Sequence, residues 1–126
     1  MGVSLSVVKQ FRLDSENYIS GTETIAGDAC QVISDTIPTP STTAATAFLA
    51  FAQAKLKAIE IVSDQDLTLH FTGPTLAVSL TAGVVWGWEL DSGLANPFGS
   101  TTVTAVTADN ASGVDALLQA RVVTIA

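Results

Sequence analysis

The chain has 126 residues, enough for one domain with a core of its own and no need of metal or disulfide staples. Its 48% hydrophobic and 13% charged residues exclude intrinsic disorder, and much of its polarity comes from Ser and Thr. Twelve acidic against five basic residues give a net charge of −7, which repels phosphate backbones and anionic lipid and argues against nucleic acid or a membrane surface as partner.

Short β-prone runs, cut about every ten residues by Gly, Pro, Asn or Asp, predict strands over 3–10, 18–26, 29–34, 57–63, 66–72, 75–81, 84–90, 100–108 and 116–125. This rhythm is that of an all-β antiparallel sandwich of jelly-roll type, a single domain over 1–126 with eight or more strands. The start, "MGVSLSVVKQF", lacks a basic stretch followed by an apolar one, so synthesis in a cytoplasm is expected. Gly2 alone is too weak a signal for myristoylation. The segment "SDTIPTPSTT" (34–43) reads as extended and turn-like, because each proline fixes φ and disfavours helix before it. Next, "STTAATAFLAFAQAKLKAI" has helical composition and spacing, but strand rhythm around it limits the expectation to at most one short helix near 53–57. The expected core includes Ile25, Val32, Ile59, Ile61, Leu67, Leu69, Phe71, Leu80, Val103 and Val122.

Chemistry is scarce. In "IEIVSDQDLTLHFTG" (59–73), Asp64 and Asp66 sit between two apolar runs, with the only histidine, His70, behind them. A calcium loop starting at Asp64 needs glycine at its sixth position and glutamate at its twelfth, where this chain has Leu69 and Thr75. On an unbroken strand Asp64 stands about 20 Å from His70, too far to share an ion. A polar corner between strands explains the stretch, with the Asp and Ser side chains accepting from nearby backbone amides. Cys30 is the only cysteine, so no intrachain disulfide forms, and a buried inert thiol is expected. No nucleophile elbow, phosphate loop or dinucleotide fingerprint is present, and a Ser/His/Asp triad would depend on His70. No catalytic residue, metal or cofactor is expected. In "VVWGWEL", Trp86 and Trp88 share a parity and so one strand face, as core or subunit interface or, alternatively, as a platform that stacks sugars.

The ordered stretches "YISGTETIAGDACQVISDTIPTPSTT", "LKAIEIVSDQDLTLHFTG", "LTAGVVWGWELDSGLANPF", "VTAVTADNASG" and "LQARVVTIA" resemble small β-sandwich proteins encoded among the virion structural genes of tailed bacteriophages. The resemblance covers nearly the whole chain and is sharpest at "SDQDLTL" and "NPF"; the second indole, Trp88, departs from the family's pattern. It implies a strand and a short turn over 46–52. It also implies a non-enzymatic particle component, a cement or decoration protein on the outer capsid, partnered by major capsid protein and by copies of itself, a trimer being favoured. The alternative is a tail, connector or adhesin module that binds carbohydrate or host surface, and an enzyme would have to lose its activity with His70→Ala. The contact arms expected are residues 1–16, where Lys9, Phe11 and Arg12 are types that anchor interfaces, and 34–43, stiffened by Pro38 and Pro40. An ordinary edge strand is the other reading of the N-terminal segment.

Overall fold

The computed structural model describes residues 2–13, 17–99 and 101–125, and side chains from residue 27 onward together with that of Ser4. Among the described residues ten strands follow one another: β1 (Val3–Leu13), β2 (Asn17–Gly27), β3 (Ala29–Ile37), β4 (Ser41–Ala45), β5 (Leu56–Ser63), β6 (Leu67–Thr72), β7 (Leu76–Leu80), β8 (Trp86–Glu89), β9 (Ala105–Asn110) and β10 (Ala116–Thr124). The only helical features among the described residues are single 3-10 turns at Gln53–Lys55 and Leu90–Ser92, the first of them within the predicted 53–57.

Strands β3 to β10 pair as a nested hairpin: β3 with β10, β4 with β9, β5 with β8 and β6 with β7, all antiparallel. Rolling that hairpin adds the β10–β5 and β9–β6 pairings and closes two four-stranded sheets, ordered β3-β10-β5-β8 and β4-β9-β6-β7. This is a jelly roll, two packed antiparallel sheets in one sandwich. Apolar residues of one parity turn inward from each strand: Ile59 and Ile61 from β5, Leu67, Leu69 and Phe71 from β6, Leu118 and Val122 from β10. Burial of such side chains at about 25 cal/mol per Å² is the main term holding the sheets together. One end is filled by an aromatic cluster in which Phe71 lies 5.0 Å from Phe98 and 6.2 Å from Phe48, ring centre to ring centre. Phe98 comes from "NPF", where the Asn96 carboxamide accepts from the Phe98 amide and turns the chain so that the ring plugs the sandwich.

Several expectations need correction. Val32 is 69% exposed; the inward positions of β3 are Ile33 and Ile37, because a one-residue change of register moves a whole strand to its other face. Adjacent apolar residues, Val32 and Ile33, hid that choice. For the same reason Cys30, of Val32's parity, is exposed and not buried. The loop expected over 34–43 is the end of β3, a crossing at Pro38–Pro40 and the start of β4. The edge strand β4 is short, its register with β9 shifts between Ser41 and Ala44, and its sequence lacks the apolar alternation of the other strands. Residues 46–52, expected as a strand and a short turn, form an irregular stretch with one bridge between Phe51 and Val103, and the predicted strand over 100–108 begins only at Ala105. Eight of the ten expected core residues are buried; Ile25 lies outside the described side chains.

The first two strands join neither sandwich sheet. β1 pairs only with β2, in register from Val3 opposite Gly27 to Leu13 opposite Asn17, as a two-stranded ribbon. The N-terminal segment is therefore not an edge strand of the sandwich. The ribbon's base lies on the outer face of β3-β10-β5-β8, where Val123 and its cross-strand partner Ala58 are fully buried although both face outward. Gly27 permits this approach, since a Cβ there would come 2.5 Å from Val123 Cγ1 and 2.8 Å from the Thr124 carbonyl oxygen. The Asp28 amide then donates to that same carbonyl at 2.8 Å.

Candidate functional site

The carboxylates singled out in the sequence serve as anchors for backbone. Asp64 Oδ1 accepts from the Leu117 amide at 2.8 Å, and Asp66 Oδ1 from the Ala82 amide at 2.9 Å. Asp35, Asp109 and Asp115 accept likewise from the amides of Ala47, Thr43 and Thr39. These partners lie between 12 and 76 residues away, so the corner at 63–66 is a junction of three chain segments and not only a local turn; the local part is Ser63 Oγ, which accepts from the Gln65 amide. Charge-assisted bonds of this kind are stronger than neutral ones.

His70 does not approach Asp64 or Asp66 in bonding. Its Nε2 lies 2.8 Å from Asp109 Oδ2, across two strands of the second sheet, with the His70 side chain 42% exposed. The Thr43 amide, held at φ 54°, donates to the other oxygen of Asp109 at 2.6 Å. That donation first, and the His70 hydrogen bond second, hold the Asp109 carboxyl below the ordinary carboxylate range. A His–Asp pair orients an imidazole, but no hydroxyl or thiol among the described residues bonds to this ring. Among the described residues no group of three His, Cys, Asp or Glu side chains converges as metal ligands would.

The tryptophans divide. Trp88 is buried in the core, and its indole N–H donates to the Leu94 carbonyl at 3.0 Å; Trp86 is half-buried, 6.3 Å from Phe71 and 6.2 Å from Phe98. Neither indole stands free on the outer face as a stacking platform, because the parity that points both rings inward points Gly87 outward. Pro38 and Pro40 are exposed at the crossing between the sheets, but Thr39 between them is held by Asp115 and by the Asn110 carbonyl. Lys9, Phe11 and Arg12 are all on β1, opposite Gly21, Ile19 and Tyr18, in the ribbon.

What remains open is the outer face of β3-β10-β5-β8 above the ribbon's base. Its cross-strand rows run Val32, Arg121, Glu60, Gly87 and Ser34, Gln119, Val62, with Val85 beside them, and together they line a shallow groove. A second depression shares Glu60 and continues past β8 to Leu94. Val32, Val85 and Leu94 on their linings are exposed, Leu94 by 69%. Sequence reading missed this face because it scored these residues as strand and turn formers, and which apolar residues of a two-sided strand face outward depends on register. Comparison with protein-family models gave no match. No similarity was found among curated proteins or among solved structures.

Proposed function

We propose that the chain is a non-enzymatic structural protein of a tailed-bacteriophage particle, a decoration protein that cements the head from outside by bridging major capsid proteins. The observation that carries this reading is the division of labour in the fold. A closed jelly roll has Asp35, Asp64, Asp66, Asp109 and Asp115 committed to backbone anchoring, and a separate ribbon carries Lys9, Phe11 and Arg12 on one strand, outside both sheets. The resemblance of nearly the whole sequence to phage virion β-sandwich proteins supports the same reading. A standard interface buries roughly 800 Å² per partner, and a weak contact repeated over a shell adds up to large collective stabilisation. Partners are then the major capsid protein and other copies of this chain, a trimer being favoured, on the surface of a particle assembled in the host cytoplasm.

The test is to add purified protein to heads that lack it, then count bound copies and measure the temperature at which the heads release their contents. Hundreds of copies per particle and a higher release temperature support decoration. Tens of copies at one vertex or on the tail replace it with the connector or adhesin reading, and no binding removes both.

A further inference from the structure

We infer that the free edge of β7 is a self-association surface, to which β7 of a second copy adds antiparallel about a two-fold axis at Val78. The inference goes beyond the particle reading and does not depend on it: the contact joins single copies in pairs or links one trimer to the next.

The two sheets of the sandwich end in four edge strands, β3 and β8 in one and β4 and β7 in the other. Unpaired N–H and C=O groups along an edge recruit further strands, and proteins blunt such edges with bulges, covering segments, charge or proline. Three of the four edges are treated in this way. β3 carries a charge, Asp35, and is tied to the stretch 47–49, whose Ala47 amide donates to that carboxylate and whose Leu49 exchanges two hydrogen bonds with the Gln31 carboxamide. In β4 the register with β9 shifts, Thr43 is held at φ 54°, and its amide is taken by Asp109. β8 has four residues, and the chain turns back beside it at once, with Ser92 Oγ donating to the Glu89 carbonyl and the Trp88 indole to the Leu94 carbonyl.

β7 has none of these devices. Its five residues, Leu76–Leu80, include no charge, proline or glycine, and its register with β6 runs unbroken. Among the described residues β6 is its one partner strand, and no other backbone-to-backbone hydrogen bond involves 76–80.

The sequence of this edge is complementary to itself. The stretch "TLAVSLT" (75–81) reads the same in both directions except that Ala77 stands against Ser79. A two-fold contact is isologous, so the surface that makes it must match its own copy. An antiparallel pair centred on Val78 does so residue by residue: Val78 faces Val78 of the second copy, Leu76 faces Leu80, and Ala77 faces Ser79. Val78 and Leu80 are buried on the core side, and Leu76 is half-buried against the core at the strand's end. Pairing therefore continues the apolar layer from one sandwich into the next and covers Leu76 with Leu80 of the second copy, cross-strand pairs of the kind that stabilise a sheet. Ala77 and Ser79 are exposed on the outer side, where neither bulk nor charge hinders the approach. Main-chain hydrogen bonds then join two four-stranded sheets into one of eight. Five residue pairs are few beside a standard interface of roughly 800 Å² per partner, so the association is reversible.

The test uses charge at the two exposed positions. Full-length Ala77→Lys with Ser79→Lys and Ala77→Glu with Ser79→Glu are compared with wild type by analytical ultracentrifugation up to about 100 µM, after circular dichroism and thermal melting have established that they fold. In the two-fold register position 77 faces position 79, so each variant opposes like charges twice. The wild type is expected to double its mass as concentration rises, neither variant to do so alone, and a one-to-one mixture to do so because each Lys then faces a Glu. Ala77→Lys with Ser79→Glu should double by itself, since the antiparallel register sets Lys opposite Glu, whereas a parallel pairing sets Lys opposite Lys. A wild type that does not double, like-charge variants that double as wild type does, or a mixture or opposite-charge variant that stays undoubled each overturn the inference. Binding to heads is measured apart from this: a wild type that doubles but binds no heads refutes the proposed function and leaves the contact standing.

Discussion

The sandwich and the ribbon are built from the same strand-forming residues but differ in how their backbone and faces are used. In the sandwich the strands from β3 to β10 give apolar side chains to the core, β4 through Ala44 alone, and the four central strands are hydrogen-bonded on both sides. In the ribbon each strand has one neighbour, and both outer edges belong to neither sheet. Such edges and faces are templates for another chain. The core thus belongs to one region and not to the other, and a substitution in one should leave the other unchanged.

The largest separation is expected from Phe71→Ala, which removes a fully buried ring in contact with Phe48, Trp86 and Phe98 and should cost about 3–5 kcal/mol in denaturant unfolding. Phe11→Ala should leave the unfolding midpoint of the sandwich where it is; a comparable loss there would erase the distinction between the two regions. Gly27→Val tests the joint between them, because its side chain would overlap Val123 and the Thr124 carbonyl. It should cost about 1–3 kcal/mol and raise amide hydrogen exchange in β1 and β2 more than in β5 or β6. A smaller effect, about 0.5–2 kcal/mol each by analogy with lost caps, is expected for Asp64→Ala and Asp66→Ala, with folding affected and metal content unchanged.

The smallest effect concerns pH. Asp109 has its folded pKa lowered, by the Thr43 amide first and His70 second, so its charge stabilises the fold above the ordinary carboxylate value near 4 and stops doing so as pH falls through the lowered value. Asp109→Asn should therefore differ from wild type in melting temperature at pH 6 and converge with it in acid. A gap that persists unchanged at pH 2.5 would assign the effect to packing and not to charge.

Much of this organisation is legible in the residues. Alternation places Ile59, Ile61, Leu67, Leu69 and Phe71 inside because period-2 hydrophobicity over five or more residues is a strong and local signal. The ambiguity at Val32 and Ile33 is not resolvable locally, since either register buries one β-branched residue. The strand β4 was hidden for a different reason: its residues, Ser41 to Ala45, have no apolar alternation and are held by β9 and by Asp109. Likewise the corner at Asp64 and Asp66 reads as polar and turn-forming, but its partners, Leu117 and Ala82, are distant in sequence. The groove on the outer face of β3-β10-β5-β8 was not visible, because which residues of a two-sided strand face outward depends on register.

By itself the sequence determined the all-β class, the single domain, the polar corner and the scarcity of catalytic groups, because propensity, alternation, spacing and counting are properties of neighbouring residues. Only the tertiary structure decided which strands pair, that β1 and β2 leave the sandwich, that His70 meets Asp109, and that Val32 and Cys30 face outward. Each of these depends on contacts between segments tens of residues apart, where a shift of one residue in register exchanges core for surface.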